Sequence, residues 1–116
     1  MLPAAARLHT PAQFTAVTRG GRRAADPLLV VHLLRRDPAP SRAGFIVSKK
    51  VGNSVIRHRV TRRLREIARA TLPTLPPGTD LVVRALPQAA DADSGALRAA
   101  MDGAIRRIGR KEGWSS

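Results

Sequence analysis

With 21 Lys and Arg against 8 Asp and Glu, this 116-residue chain carries a formal charge of +13, more than a folded domain of its size needs for solubility. That excess points to a polyanionic partner, nucleic acid or an anionic membrane surface. There is no cysteine, which excludes disulfides and thiolate metal sites, and no apolar run approaches the roughly 20 residues of a membrane span. The opening MLPAAARLHTP has too short an apolar run for a secretory signal, and Arg7 interrupts it. A soluble, cytoplasmic protein of one domain is the expectation, with 43% hydrophobic residues to fill one core.

The predicted elements run in the order α-β-β-α-β-α. Thr10-Pro11 opens a helix, with Thr as N-cap and Pro at the first helical position; Phe14 and Val17 form its apolar stripe and Gly20-Gly21 ends it. The run LLVVHLL over 28–34 predicts a strand, and a weaker strand signal lies at 22–27. Residues 35–41, with Asp37-Pro38 and Pro40, predict a turn, and 43–48 a second strand paired antiparallel with the first as a hairpin. Asn53 or Ser54 caps a long helix to about Ala70, whose apolar positions Ile56, Val60, Leu64, Ile67 and Ala68 share one face. His58, Arg62, Arg65 and Arg69 fall on the opposite face, flanked by Arg57, Arg59 and Arg63. Three prolines in LPTLPPG break the helix, DLVVRAL over 80–86 predicts a third strand, and Ser94 caps a last helix buried through Leu97, Ala100, Met101, Ala104, Ile105 and Ile108. Residues 109–116 are expected as a flexible tail. Together these elements predict an α+β fold, a two-layer α-β sandwich of helices on a small sheet.

The chemistry concentrates in residues 42–70, which hold nine Lys and Arg and one acid, Glu66, so +8 of the total charge. A solvated arginine face without counter-charges would repel itself, whereas guanidinium forks match phosphate oxygens and stack on bases. Lys49 and Lys50, ahead of Gly52-Asn53, place two more cations near a helix N-terminus. No His, Asp and Glu cluster has metal-ligand spacing and no nucleophile has an evident base, so no catalytic residue is predicted. Aromatic stacking platforms are scarce: Phe14, Phe45 and Trp114 are all there are.

The run from Gly44 to Val60, GFIVSKKVGNSVIRHRV, closely resembles the signature of the bacterial ribonuclease P protein subunit: a strand ending in Ser-Lys-Lys, a Val-Gly-Asn turn, and an Arg-x-Arg helix with further cations one and two turns on. Arg7-Leu8, Phe14, Gly20 or Gly21, the 28–34 strand and 80–87 follow in the order that family has. The resemblance implies the fold of the second domain of ribosomal protein S5, with a left-handed β-α-β crossover. It also implies a protein cofactor for a catalytic RNA that removes the 5′ leader of precursor tRNA with Mg2+. By the resemblance, Lys49, Lys50, Asn53, Arg57, His58, Arg59, Arg62, Arg63, Arg65 and Arg69 would contact the RNA subunit. Phe14, His32 and Ser48 would line a leader-binding cleft. Neither a membrane nor an obligate protein partner is expected. Four positions depart from the family pattern: His58 stands for the common Asn, Thr61 for a basic residue, and Thr18 and His32 for aromatics.

Rival classes each lack a feature. A ribosomal-type RNA-binding protein would share charge and size but has no reason to carry the intact run. A helix-turn-helix protein needs two adjacent helices, a membrane-surface protein bulky apolar residues beside the basic face, and a self-sufficient nuclease clustered carboxylates for metal ions.

Overall fold

The computed structural model describes residues 2–36 and 40–113. The centre of the predicted turn, Asp37-Pro38, and the tail residue Trp114 lie outside the described residues. Among the described residues the chain forms four strands in one sheet and three α-helices.

Helix α1 (Pro11–Gly20) begins as its sequence requires. The Thr10 hydroxyl accepts from the Gln13 N–H at 3.2 Å, and the Gln13 side chain accepts in return from the Thr10 N–H. The weak strand signal becomes β1 (Arg22–Ala25), joined to β2 (Leu29–Arg35) by a tight antiparallel turn. There the Asp26 carboxylate accepts from the Leu28 N–H at 2.9 Å. Strand β3 (Arg42–Ile46) leads into α2 (Ser54–Thr71), whose N-cap is Asn53, accepting from the Ile56 N–H at 3.0 Å. A 3-10 turn at Leu72–Thr74 ends that helix, and β4 (Thr79–Ala85) follows. A further 3-10 turn, Pro87–Asp91, precedes α3 (Ser94–Glu112), capped by Asp93 rather than Ser94.

The sheet order is β1-β2-β4-β3, and it overturns the expected hairpin between residues 28–34 and 43–48. Strands β2 and β3 do not pair. Strand β4 lies between them, antiparallel to β2 and parallel to β3, so α2 is the crossover of a β-α-β unit. The reason lies in burial. Leu81, Val82 and Val83 are all fully buried, so β4 needs cover on both faces and both edges, which only the sheet centre offers. Strand β3 carries Arg42 and Gly44 and takes the edge, where the N-terminal segment joins it through a bridge from Arg7 to Ala43.

Alternation along β2 and β4 divides the core. Leu29, Val31, Leu33, Leu81, Val83 and Ala85 meet the apolar faces of α2 and α3 in the main cluster. Val82 and Leu34 face the other side, where α1 covers part of the sheet with Val17 and Phe14. Residues 109–112, expected within a flexible tail, instead form the last turn of α3, with Gly109 buried and Gly113 at φ 71° as its left-handed cap. Ile105 is only partly buried, unlike its neighbours on the predicted face.

One buried acid ties the strand ends together. Asp80, 2% exposed, receives Arg42 in a paired contact at 3.0 and 2.7 Å, and Arg36 Nε stands 2.7 Å from its Oδ2. The ends of β2, β3 and β4 thus meet at one carboxylate. Removing one partner from such a site leaves uncompensated buried charge. Asp80→Ala is therefore expected to lower unfolding free energy by about 3–5 kcal/mol, read from urea denaturation; a loss no larger than for a surface substitution would show the clamp to be dispensable.

Candidate nucleic-acid interface

Helix α2 lays Val60, Leu64, Ile67 and Ala68 into the core, and that placement fixes where its cations stand. His58, Arg62, Arg65 and Arg69 are exposed, as the helical period requires. An open depression of about 850 Å3 runs along this flank, lined by Ser54, His58, Thr61, Arg62 and Arg65 and by Val55, which is 73% exposed. Lys49 and Lys50 stand exposed in the turn ahead of the helix, and the Lys50 N–H donates to Ser48 Oγ at 3.3 Å.

The flanking arginines differ. Arg59 Nη2 donates to the Ala90 carbonyl at 3.0 Å, and Arg63 Nη1 donates to the Ala92 carbonyl at 2.7 Å. Both guanidinium groups pin α2 to the segment before α3, a use their sequence spacing did not reveal because the acceptors lie some 30 residues away on backbone oxygens. Arg57 is half-buried, and Arg69 has Glu66 3.9 Å away. Asn53 spends its side-chain oxygen on the helix cap, and Thr61 donates to the Arg57 carbonyl at 2.8 Å.

Of the expected cleft residues, Phe14 and His32 share one sheet face and Ser48 lies apart. Phe14 rests on β3: a Cβ added at Gly44 would come within 2.5 Å of its ring, so only glycine lets the aromatic ring sit there. His32 is on β2, and strand registers put Arg23, His32, Val82 and Gly44 in one row across the sheet. This face is opposite the one α2 covers. Ser48 is exposed beyond the end of β3 and belongs to the lysine turn. In the next row Arg84 projects between Val30 and Ile46, an exposed cation in an otherwise buried strand. Its sequence signal, one arginine breaking LVV-x-A, passes unnoticed until the register places it beside His32.

His32 is 7% exposed, and its Nδ1 is buried without a hydrogen bond. Burial first, then the charges of Arg84 and Arg23, hold its pKa below the usual value of 6.5. A pocket of about 130 Å3 at the β3 edge, lined by Arg7, Phe14, Gly44, Phe45 and Arg65, connects this face with the α2 flank. Basic groups thus follow a path around the β3 edge from one side of the sheet to the other.

Among the described residues no group of three or more His, Asp and Glu is placed to hold a metal ion, and Asp80, the buried acid, is taken up by two arginines. No helix of the described residues is long and apolar enough to cross a membrane.

The fold and these faces define a small basic α+β protein with exposed cations on the flank of α2 and on the opposite sheet face. A family model described as ribonuclease P matches residues 2–109. The ribonuclease P protein component of Streptomyces avermitilis is 48% identical over 117 residues, covering 93% of this chain and 95% of that one. The solved RNase P protein of Staphylococcus aureus superposes with a TM-score of 0.79 at 25% identity, covering 89% of this chain and 94% of that one. That of Thermotoga maritima shares the fold, with a TM-score of 0.74 over 90% of this chain and 96% of the other at 24% identity. The chain belongs to the ribonuclease P protein family.

Two outcomes are expected from the geometry. Arg59→Ala and Arg63→Ala should each cost about 1 kcal/mol or more in denaturant unfolding through lost charge-assisted hydrogen bonds, whereas Arg62→Ala and Arg65→Ala should stay within about 0.5 kcal/mol. Because His32 binds its proton less readily folded than unfolded, stability should be complete above about pH 6.5 and decline as pH falls below it. Thermal melts across that range should show His32→Asn without this component of the decline; an identical profile in both proteins would remove His32 from the pH response.

Proposed function

We propose that this chain acts as the protein subunit of ribonuclease P, holding the catalytic RNA on the exposed flank of α2 and the 5′ leader of precursor tRNA on the opposite, partly open sheet face. The observation that carries this reading is the pair of separate basic surfaces on one sheet, joined around the β3 edge by Arg7 and Arg65. Two RNA molecules that must come together repel through their phosphates, and a cationic body between them lowers that repulsion.

Each set of residues has its task. Arg62 and Arg65, with Lys49 and Lys50, supply the exposed contacts to the RNA subunit, and His58 adds a hydrogen-bonding group. Arg59 and Arg63 hold the helix in place while adding positive potential, and half-buried Arg57 adds to that potential. On the sheet face, Phe14 offers an aromatic surface, and His32 and Arg84 polar and cationic groups, to an unpaired strand. A flexible single strand suits such a shallow, mixed face. Catalysis belongs to the RNA subunit. Magnesium ions bind with the RNA phosphates, whose oxygens are hard ligands suited to them. The protein lowers the magnesium requirement by supplying fixed positive charge.

Reconstitution tests this directly. Adding the chain to a bacterial ribonuclease P RNA at low magnesium should strongly stimulate cleavage of precursor tRNA at the mature 5′ end; a folded chain that binds the RNA without stimulation would overturn the proposal. Arg62→Ala with Arg65→Ala should reduce the log–log salt slope of RNA-subunit binding by roughly 0.7–0.9 per lost phosphate contact. Phe14→Ala should impair discrimination of precursor from mature tRNA more than binding of the RNA subunit.

A further inference from the structure

A third group of cations belongs to neither surface. Arg19 near the end of α1, Arg22 at the start of β1, Arg35 at the end of β2, and Arg110 and Lys111 in the last turn of α3 are all exposed. Strand β1 gathers them. It is a sheet edge, paired only with β2, and the C-terminal half of α3 packs beside it. Arg22 Nε contacts Glu112 at 3.1 Å, and Arg107 donates to the Ala25 carbonyl at 2.7 Å. Where α1 ends against the strands lies an open groove of about 350 Å3, lined by Arg22, Arg35 and Glu112 and floored at Gly20-Gly21 by bare backbone.

Ordinary structural reasons explain part of this. The helix dipole favours Arg110 and Lys111 at a C-terminus, and a charge in β1 protects an exposed edge. Neither reason reaches Arg35, which turns into the same groove from the neighbouring strand. The nearby acid, Glu112, is already engaged by Arg22. The groove therefore keeps a net positive charge with room for an anion.

The groove is also continuous with the sheet face. Successive residues of a strand point to opposite sides, so Arg23 stands beside His32 while Arg22 stands beside α3. The two arginines straddle the edge. A chain of phosphates crossing from Arg84 and His32 past Arg23 would reach Arg22 and Arg35 without leaving positive potential. A duplex is too stiff to turn round a single strand edge, whereas unpaired nucleic acid can.

We propose that the β1 edge and this groove form a second phosphate-binding track, which takes the single-stranded leader onward after it leaves the sheet face. The track rests on the assignment of the sheet face to the leader, and the experiment separates the two. The reconstituted holoenzyme, wild type or carrying Arg22→Gln with Arg35→Gln, is titrated with precursor tRNAs of graded leader length and with mature tRNA. In the wild type, affinity should rise with short leaders and rise again with longer ones. The double variant should keep the first rise and lose the second, with the salt slope for long leaders lower by about 1.4 for two single-strand contacts. Arg22→Lys with Arg35→Lys should retain the second rise, which a packing role for the guanidinium groups would not allow. A wild type indifferent to any leader would defeat the sheet-face assignment. A wild type without the second rise, a glutamine variant that keeps it, or one that loses RNA-subunit affinity instead, would overturn the track alone.

Discussion

Strand β4 is the constraint on which the molecule depends. Its centre, Leu81 to Val83, is excluded from water on both faces, so it must be flanked by strands and covered by helices on one side and α1 on the other. Placing it centrally forces β3 to the edge and makes α2 a crossover, and that crossover turns one arginine-rich flank of α2 to solvent. Asp80, at the head of the same strand, gathers Arg36 and Arg42 and so fixes the ends of the two neighbouring strands. Hydrophobic burial selects the topology; the buried ion cluster sets its register at one end.

Positive charge in this protein serves two purposes that composition does not distinguish. Arg36, Arg42, Arg59 and Arg63 are engaged by carboxylate or carbonyl oxygens within the fold. Arg62, Arg65, Lys49 and Lys50 stand exposed and supply the surface potential. A guanidinium group suits the first task because its fork reaches fixed oxygens with several donors, and its weak hydration lowers the cost of partial burial. The same chemistry suits phosphate, so arginine serves both the scaffold and the exposed basic surface.

The aromatic deficit has a structural counterpart. Phe14 occupies the space a side chain at position 44 would fill, and His32 lies in the same cross-strand row. The exposed groups on this sheet face are therefore cationic, Arg23 and Arg84, more than aromatic. Charge-led contacts are tolerant of sequence and sensitive to salt.

Much of the fold was legible along the chain. Thr10-Pro11, Asn53, the 3.6-residue apolar stripe of α2 and the proline break after it are local signals, decided by capping chemistry and periodicity within a few residues. The run GFIVSKKVGNSVIRHRV likewise carried the resemblance that the family match upholds. Strand pairing was not legible: a short link between 28–34 and 43–48 reads as a hairpin, and only the burial demand of the distant strand at 79–85 separates the two. The site divides in the same way. The sequence by itself determined that α2 carries an arginine face and that the chain seeks a polyanion, because charge and period are local. Only the tertiary structure decided that Arg59 and Arg63 turn inward, that Arg84 joins His32, and that the basic surfaces lie on opposite sides of one sheet. Each of those depends on which backbone oxygen or strand lies across the fold, and contacts between distant segments are set by burial of the whole core.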